Sequence, residues 1–171
     1  MLKTIILAAG VVMVGAVAHA HVTLENQQAA VGTTYKAVLR VPHGCEGKAT
    51  NVVRLQVPAG FTGVKAMPKA GWKLEMIKDT STPAAKNDHG ADVVQIKEIV
   101  WSGGNLLDEN YDEFVVRGSL SSDLKPNTTL YFPVVQECDK AVERWIEIPA
   151  DGKTAGDYKK PAPGLKLLPK P

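Results

Sequence analysis

Thr34-Tyr35-Lys36-Ala37-Val38-Leu39-Arg40-Val41-Pro42 and Asn51-Val52-Val53-Arg54-Leu55-Gln56-Val57-Pro58 decide the fold. Both runs alternate polar and apolar side chains with a period of two, as a strand with one buried face requires. Each is stopped by a proline, which has no N–H to give to a sheet. Outward from this pair, residues 72–77, 93–101, 112–120, 128–135 and 144–148 read as further short strands. They are punctuated by the turn signals Ala59-Gly60, Lys69-Ala70-Gly71, Ser102-Gly103-Gly104 and Lys125-Pro126-Asn127. Residues 106–113 come nearest to a helical period and are too few to sustain one. No internal repeat is present. The pattern predicts an all-β chain folded as a single antiparallel β-sandwich of immunoglobulin- or cupin-like appearance.

The start of the chain reads as a secretory signal peptide, residues 1–20. Lys3 supplies the positive charge, residues 5–17 an apolar stretch broken by Gly10 and Gly15, and Ala18-His19-Ala20 a small-x-small cleavage site. That stretch is too short for a comfortable membrane span, and no second long apolar run follows. The expectation is a periplasmic or extracellular protein with no transmembrane span after cleavage. The remaining roughly 150 residues suffice for one domain, placed at 21–150. Charge is nearly balanced, with 20 Lys plus Arg against 18 Asp plus Glu, so no nucleic-acid footprint is visible.

In an exported protein an isolated pair of cysteines reads as one disulfide, here Cys45 with Cys138. Residues 79–92 read as an exposed loop. Residues 151–171, rich in Pro and Lys, read as an extended tail outside the core, with Leu165, Leu167 and Leu168 able to dock on the sandwich edge.

The sequence carries no nucleophile elbow, no H-E-x-x-H and no glycine-rich phosphate loop, and an enzyme is not expected. Cleavage after Ala20 would instead make His21 the mature N-terminus. Its α-amine and imidazole Nδ1 can then chelate one ion, a nitrogen-rich bite suited to Cu(II), and both groups lose their protons to a metal near neutral pH. His43 lies in a loop after a strand and beside a cysteine, whereas His89 sits in the least patterned stretch of the chain. Met67 and Met76 read as gap-fillers, and Trp72 and Trp101 as packing residues.

Ala20-His21-Val22-Thr23-Leu24, the stretch from Tyr35 to Cys45, Gly71-Trp72, and Cys138 followed by Arg144-Trp145-Ile146-Glu147-Ile148-Pro149 together resemble the YcnI-like (YncI) copper-binding domain family. The resemblance runs from His21 to about Pro149. It implies an exported β-sandwich whose N-terminal histidine binds Cu(II) as a monohistidine brace. It further implies a carboxylate from the loop after the Val-Pro strand and a tryptophan beside the metal. His21 matches the brace and Trp145 the tryptophan. Where related sequences read Val-Pro-x-Glu this chain has Gly44, which leaves His43 and Glu46 as the candidates for third ligand. Ile146 and Ile148 alternate against Trp145 and Glu147, an arrangement that sets Trp145 on a charged face and suits the wall of a site.

The expected function is Cu(II) capture for delivery, storage or detoxification, with a copper transporter or chaperone as partner. Two other classes stand beside it: a copper-dependent oxidase or monooxygenase built on a histidine brace, and an interaction module that holds no metal.

Overall fold

The computed structural model describes residues 21–80, 85–86 and 92–171; the leader and His89 lie outside the described residues. The strands are β1 (Thr23–Leu24), β2 (Gln28–Ala30), β3 (Thr34–Val41), β4 (Thr50–Gln56), β5 (Phe61–Ala66), β6 (Lys73–Lys78) and β7 (Ala85–Lys86). They continue as β8 (Asp92–Val93), β9 (Ile96–Leu106), β10 (Asp112–Leu120), β11 (Thr129–Tyr131), β12 (Val134–Cys138), β13 (Ala141–Trp145) and β14 (Gly164–Leu168). A single 3-10 turn, Ala155–Asp157, is the one helical element among the described residues.

A four-stranded sheet, β1-β3-β10-β5, faces a five-stranded sheet, β13-β12-β4-β9-β6. A smaller sheet, β11-β14-β2, adds residues to the same core, and β7 pairs with β8. The alternation in β3 is realised at all but one position: Tyr35, Ala37, Leu39 and Val41 are buried while Thr34, Lys36 and Arg40 are exposed, and Val38, on the outward face, is buried as well. Phe114 and Val116 of β10 meet Val53 and Leu55 of β4, Ile99 and Trp101 of β9, and Val134 of β12 in one core. Aromatic contacts cross between the sheets, with Trp101 and Trp72 both edge-on to Phe114 at centroid distances of 5.3 and 4.9 Å. Burying each large apolar side chain contributes about 1.5–3 kcal/mol.

Four expectations are corrected. Ser102-Gly103-Gly104 is not a turn but part of β9, which runs on to Leu106. The glycines accommodate a bulge opposite Thr50 and Val52, and Trp72 lies flat enough on Gly104 that a Cβ there would come within 2.0 Å of the indole. The strand expected over 128–135 is two strands in two different sheets, divided at Phe132-Pro133, where the chain passes from β11 to β12. The strand expected over 144–148 is β13, which ends at Trp145. Ile146 and Ile148 are exposed and Trp145 is buried, the reverse of the expected faces. Residues 151–171 are not a tail throughout. β14 pairs antiparallel with β11 and parallel with β2, and Leu165 and Leu167 are fully buried. Two leucines at a period of two between prolines are enough to make a half-buried strand. β5 was not foreseen, because Thr62 and Gly63 interrupt its apolar pattern.

Candidate functional site

β1 is only two residues long, yet it fixes the position of His21. Thr23 pairs with Arg40 and Leu24 with Leu39, and the same antiparallel register carried two residues back sets His21 opposite Pro42. Val22 and Leu24 are buried on either side of Thr23. β3 ends where proline removes the next ladder donor, and the loop of His43, Gly44 and Cys45 begins there.

Gly44 explains the missing glutamate. A Cβ at this position would lie 1.9 Å from the Lys48 carbonyl oxygen, so no side chain fits without opening the turn that follows. That turn is closed by hydrogen bonds from the Cys45 N–H to the Lys48 carbonyl (2.9 Å) and from the Lys48 N–H to the Cys45 carbonyl (2.8 Å). Its two central residues, Glu46 and Gly47, have φ of 50° and 77°, the left-handed pair that a two-residue hairpin turn demands. Glu46 is exposed at its tip.

The disulfide joins Cys45 to Cys138 across a sequence separation of 93, with the Cα atoms 5.7 Å apart and both residues fully buried. His43 lies half-buried beside it. Its Nδ1 is 2.5 Å from the Gly44 carbonyl oxygen and 3.9 Å from Oδ1 of Asp108. A carbonyl only accepts, so Nδ1 carries the proton, and in the neutral ring the lone pair falls on Nε2.

Trp145 is buried and packs its ring against His21 in an edge contact, with centroids 5.6 Å apart and planes at 84°. Its indole Nε1–H donates to Oε1 of Gln136 at 3.1 Å. Gln136 is fully buried. Its Nε2 donates to the backbone carbonyl of His43 (2.7 Å) and to Oγ1 of Thr50 (2.6 Å). Thr50 Oγ1 in turn lies 3.3 Å from Sγ of Cys138, and since a disulfide sulfur has no proton, the hydroxyl is the donor. A buried primary amide costs several kcal/mol unless paired; here its oxygen and both N–H groups are used.

The open side of Trp145 faces a cation. Lys160 Nζ stands 5.9 Å from the ring centroid and forms an ion pair with Glu143, whose side chain is 14% exposed. The segment carrying Lys160 is tied down by hydrogen bonds on both sides of Glu147, from the Glu147 N–H to the Lys160 carbonyl (3.1 Å) and from the Ala162 N–H to the Glu147 carbonyl (2.8 Å). A cavity of about 330 Å³ opens beside His21, with Gln27, Thr129, Tyr131, Lys153 and Pro161 in its wall.

His21 and Trp145 are therefore in contact, and the His43 loop and the disulfide are joined to Trp145 through Gln136. Glu46 is not part of this network. Among the described residues no three His, Cys, Asp or Glu side chains converge on one point, so His21, His43 and Glu46 do not form a ready three-ligand cage. Sequence reasoning missed Gln136 and Thr50. Gln136 had a signal, since it lies at an inward position between Val134 and Cys138. Thr50 had none, because it shares the parity of Val52 and Arg54, which are not buried, and is itself buried at the point where β9 bulges opposite it.

The family of domains of unknown function DUF1775 matches residues 21–167. No curated protein matches the sequence. Among solved structures, the chain is similar to an uncharacterized protein from Nocardia farcinica with an immunoglobulin-like fold, at 23% identity and a TM-score of 0.63, over 86% of this chain and 98% of that one. It also aligns with the sixth cohesin of scaffoldin B from Acetivibrio cellulolyticus, at 4% identity and a TM-score of 0.41, over 86% and 97% of the two chains. The first likeness shows an immunoglobulin-like β-sandwich. The family match begins at His21 and ends inside β14, so the domain extends past the boundary expected at residue 150. Among the described residues no helix is long and apolar enough to cross a membrane.

Proposed function

The chain belongs to the DUF1775 family, and on that premise we propose that it is an exported Cu(II)-binding protein whose cargo is held by the α-amine and Nδ1 of a mature N-terminal His21. The observation that carries the reading is the position of His21: directly after the small-x-small pattern Ala18-His19-Ala20, first residue of the family match, and edge-on to a buried tryptophan at 5.6 Å. The resemblance to YcnI-like copper-binding domains supports the same assignment. Amine and imidazole from one residue form a bidentate nitrogen chelate of the kind Cu(II) favours. His43 is the side chain proposed for a third position, through Nε2, because its Nδ1–H is held by the Gly44 carbonyl as the outer nitrogen of a metal-bound histidine commonly is. Glu46, exposed at its turn tip, is the poorer candidate, and water fills what the protein leaves.

The role is capture, not turnover: Cu(II) is taken up for delivery, storage or detoxification outside the cytoplasm, with a copper transporter or chaperone as the partner. A disulfide supports an oxidising compartment. The decisive experiment compares Cu(II) binding by protein with an authentic His21 terminus against protein with one added residue. The addition turns the coordinating amine into an amide, so affinity is expected to fall by orders of magnitude; equal binding by both forms would remove the brace from consideration.

A further inference from the structure

We infer that Gln136 is a positioning residue for this site: one buried amide sets the orientation of the Trp145 indole against His21 and at the same time anchors the His43 loop. The functional consequence rests on the copper reading, whereas the geometric claim stands on the hydrogen bonds alone.

The partners dictate the side chain. The indole N–H can only donate, and the His43 carbonyl can only accept. A group lying between them must offer an acceptor to one and a donor to the other. Gln136 does this with Oε1 at 3.1 Å from the indole nitrogen and Nε2 at 2.7 Å from the carbonyl. The same reasoning fixes which end of the amide is oxygen, since the reverse orientation would face N–H to N–H and oxygen to oxygen. The second Nε2 proton goes to Thr50, whose hydroxyl proton points on toward Cys138. Each donor therefore has one direction available, and the chain runs from the ring touching His21 to the disulfide that closes the His43 loop.

Trp145 and His43 lie on segments about a hundred residues apart in sequence, and Gln136 bonds to both of them. Gln136 is the group that couples them. It resides on β12, between β13, which carries Trp145, and β4, which follows the His43 loop. Its register places it on an interior strand of the sheet, opposite Val53 on one side and Glu143 on the other. A supporting residue in such a position is expected to act on a metal through its orienting of the groups that touch it, and loss of such a residue costs about 10–100-fold in metal affinity.

The test uses mature protein with an authentic His21 terminus and Cu(II) chloride as the probe. Gln136→Met keeps the length of the side chain and removes every hydrogen bond. The control is Val116→Ala, a core change in β10 outside the network that lowers stability without touching it. In metal-free protein, Gln136→Met is expected to shift the Trp145 indole N–H and the His21 and His43 ring resonances together, and Val116→Ala to leave all three in place. With copper, Gln136→Met is expected to weaken binding at least about tenfold and change the Cu(II) electron paramagnetic resonance parameters, while the control changes neither. Unmoved His21 and His43 resonances in folded Gln136→Met protein overturn the positioning role, whatever copper does. If the resonances move and wild-type protein binds no copper, the positioning role stands and the copper reading falls. If Gln136→Met does not fold, Trp145→Phe removes the indole bond from the other end. Displacement of the His43 ring resonances in that variant supports the coupling, and no displacement refutes it.

Discussion

Removing the disulfide with Cys45→Ala plus Cys138→Ala is expected to destabilise the protein by about 4–5 kcal/mol. The bridge closes a loop over a sequence separation of 93. The loop-entropy relation gives about 16 cal/mol/K for that length, or roughly 4.6 kcal/mol at 25 °C. The native fold should survive the change, because neither end depends on the bridge for its secondary structure. Glu137 pairs with Val52 one residue from Cys138, and the turn after Cys45 is closed by its own backbone hydrogen bonds. Thr50 loses its sulfur acceptor, which adds a cost on the order of 1 kcal/mol. A single domain has only about 5–15 kcal/mol in hand, so the variant should be marginal and is best measured in the presence of a stabilising salt such as sulfate. Urea unfolding followed by tryptophan emission is the assay. The midpoint should fall, and the denaturant slope should rise because the unfolded chain is no longer cross-linked and exposes more surface. A loss below about 1.5 kcal/mol with an unchanged slope would refute the reasoning, since the bridge would then not be restricting the unfolded state.

Two further outcomes are expected. The Tyr35 phenol, buried and donating to the Asn26 carbonyl at 2.5 Å, has its pKa pushed up to about 12 by burial and then by the Glu25 charge. The neutral ring is favoured in the fold, so this contribution is complete below pH 10 and is lost as pH rises from 10 toward 12, where the unfolded chain has shed the proton and the folded chain has not. Urea midpoints measured from pH 9 to 12 should fall more steeply in wild type than in Tyr35→Phe, by roughly 2–3 kcal/mol at the upper end; parallel profiles would exclude Tyr35 as the cause. Leu167→Ala, at a fully buried position of β14, should cost about 2–4 kcal/mol in the same assay, and a cost under about 1 kcal/mol would mean that residues 164–168 only rest on the sandwich.

The strands that could be read from sequence are those whose alternation is nearly complete or whose end carries proline. β3 alternates at all but Val38 and is stopped by Pro42, β10 alternates over its length, and 34–41 and 112–120 were legible to the residue. Where the structure departs from the reading, a bulge or a change of sheet is the reason. Gly103 and Gly104 signal a turn by composition, yet the same lack of side chains is what lets β9 bulge beneath Trp72. The reading of Trp145 failed on its face and was half right on its contact. Its strand ends three residues earlier than the Ile146 and Ile148 pattern requires, and the register with Val134 turns Trp145 inward. The charged residue that shares its inward face is Glu143, neutralised by Lys160. A tryptophan that is core on one side and lies against His21 on the other leaves no alternation signature of either role.

The candidate ligand itself was legible for a reason that has nothing to do with strands, namely the small-x-small pattern Ala18-His19-Ala20 before it, read as a cleavage site. What the sequence does not convey is how a chain terminus, ordinarily the most frayed part of a domain, could hold a metal in one geometry. β1 has only two residues to pair, but Val22 and Leu24 are each 1% exposed and lie one and three residues from His21. Burial of two such side chains contributes about 3–6 kcal/mol, which offsets most of the roughly 4–8 kcal/mol that ordering residues 21–24 costs at about 1–2 kcal/mol each, and the pairing of β1 with β3 adds to it. This segment is therefore pinned by Val22 and Leu24, and His21 is stopped laterally by the Trp145 ring. On the proposed copper reading, cleavage would leave the amine within one residue of a fixed point, and the ordering cost of chelation would be met in folding instead of at metal capture. A histidine at the same junction without apolar residues at positions 22 and 24 would carry the same donors on a loose end and bind more weakly for that reason alone.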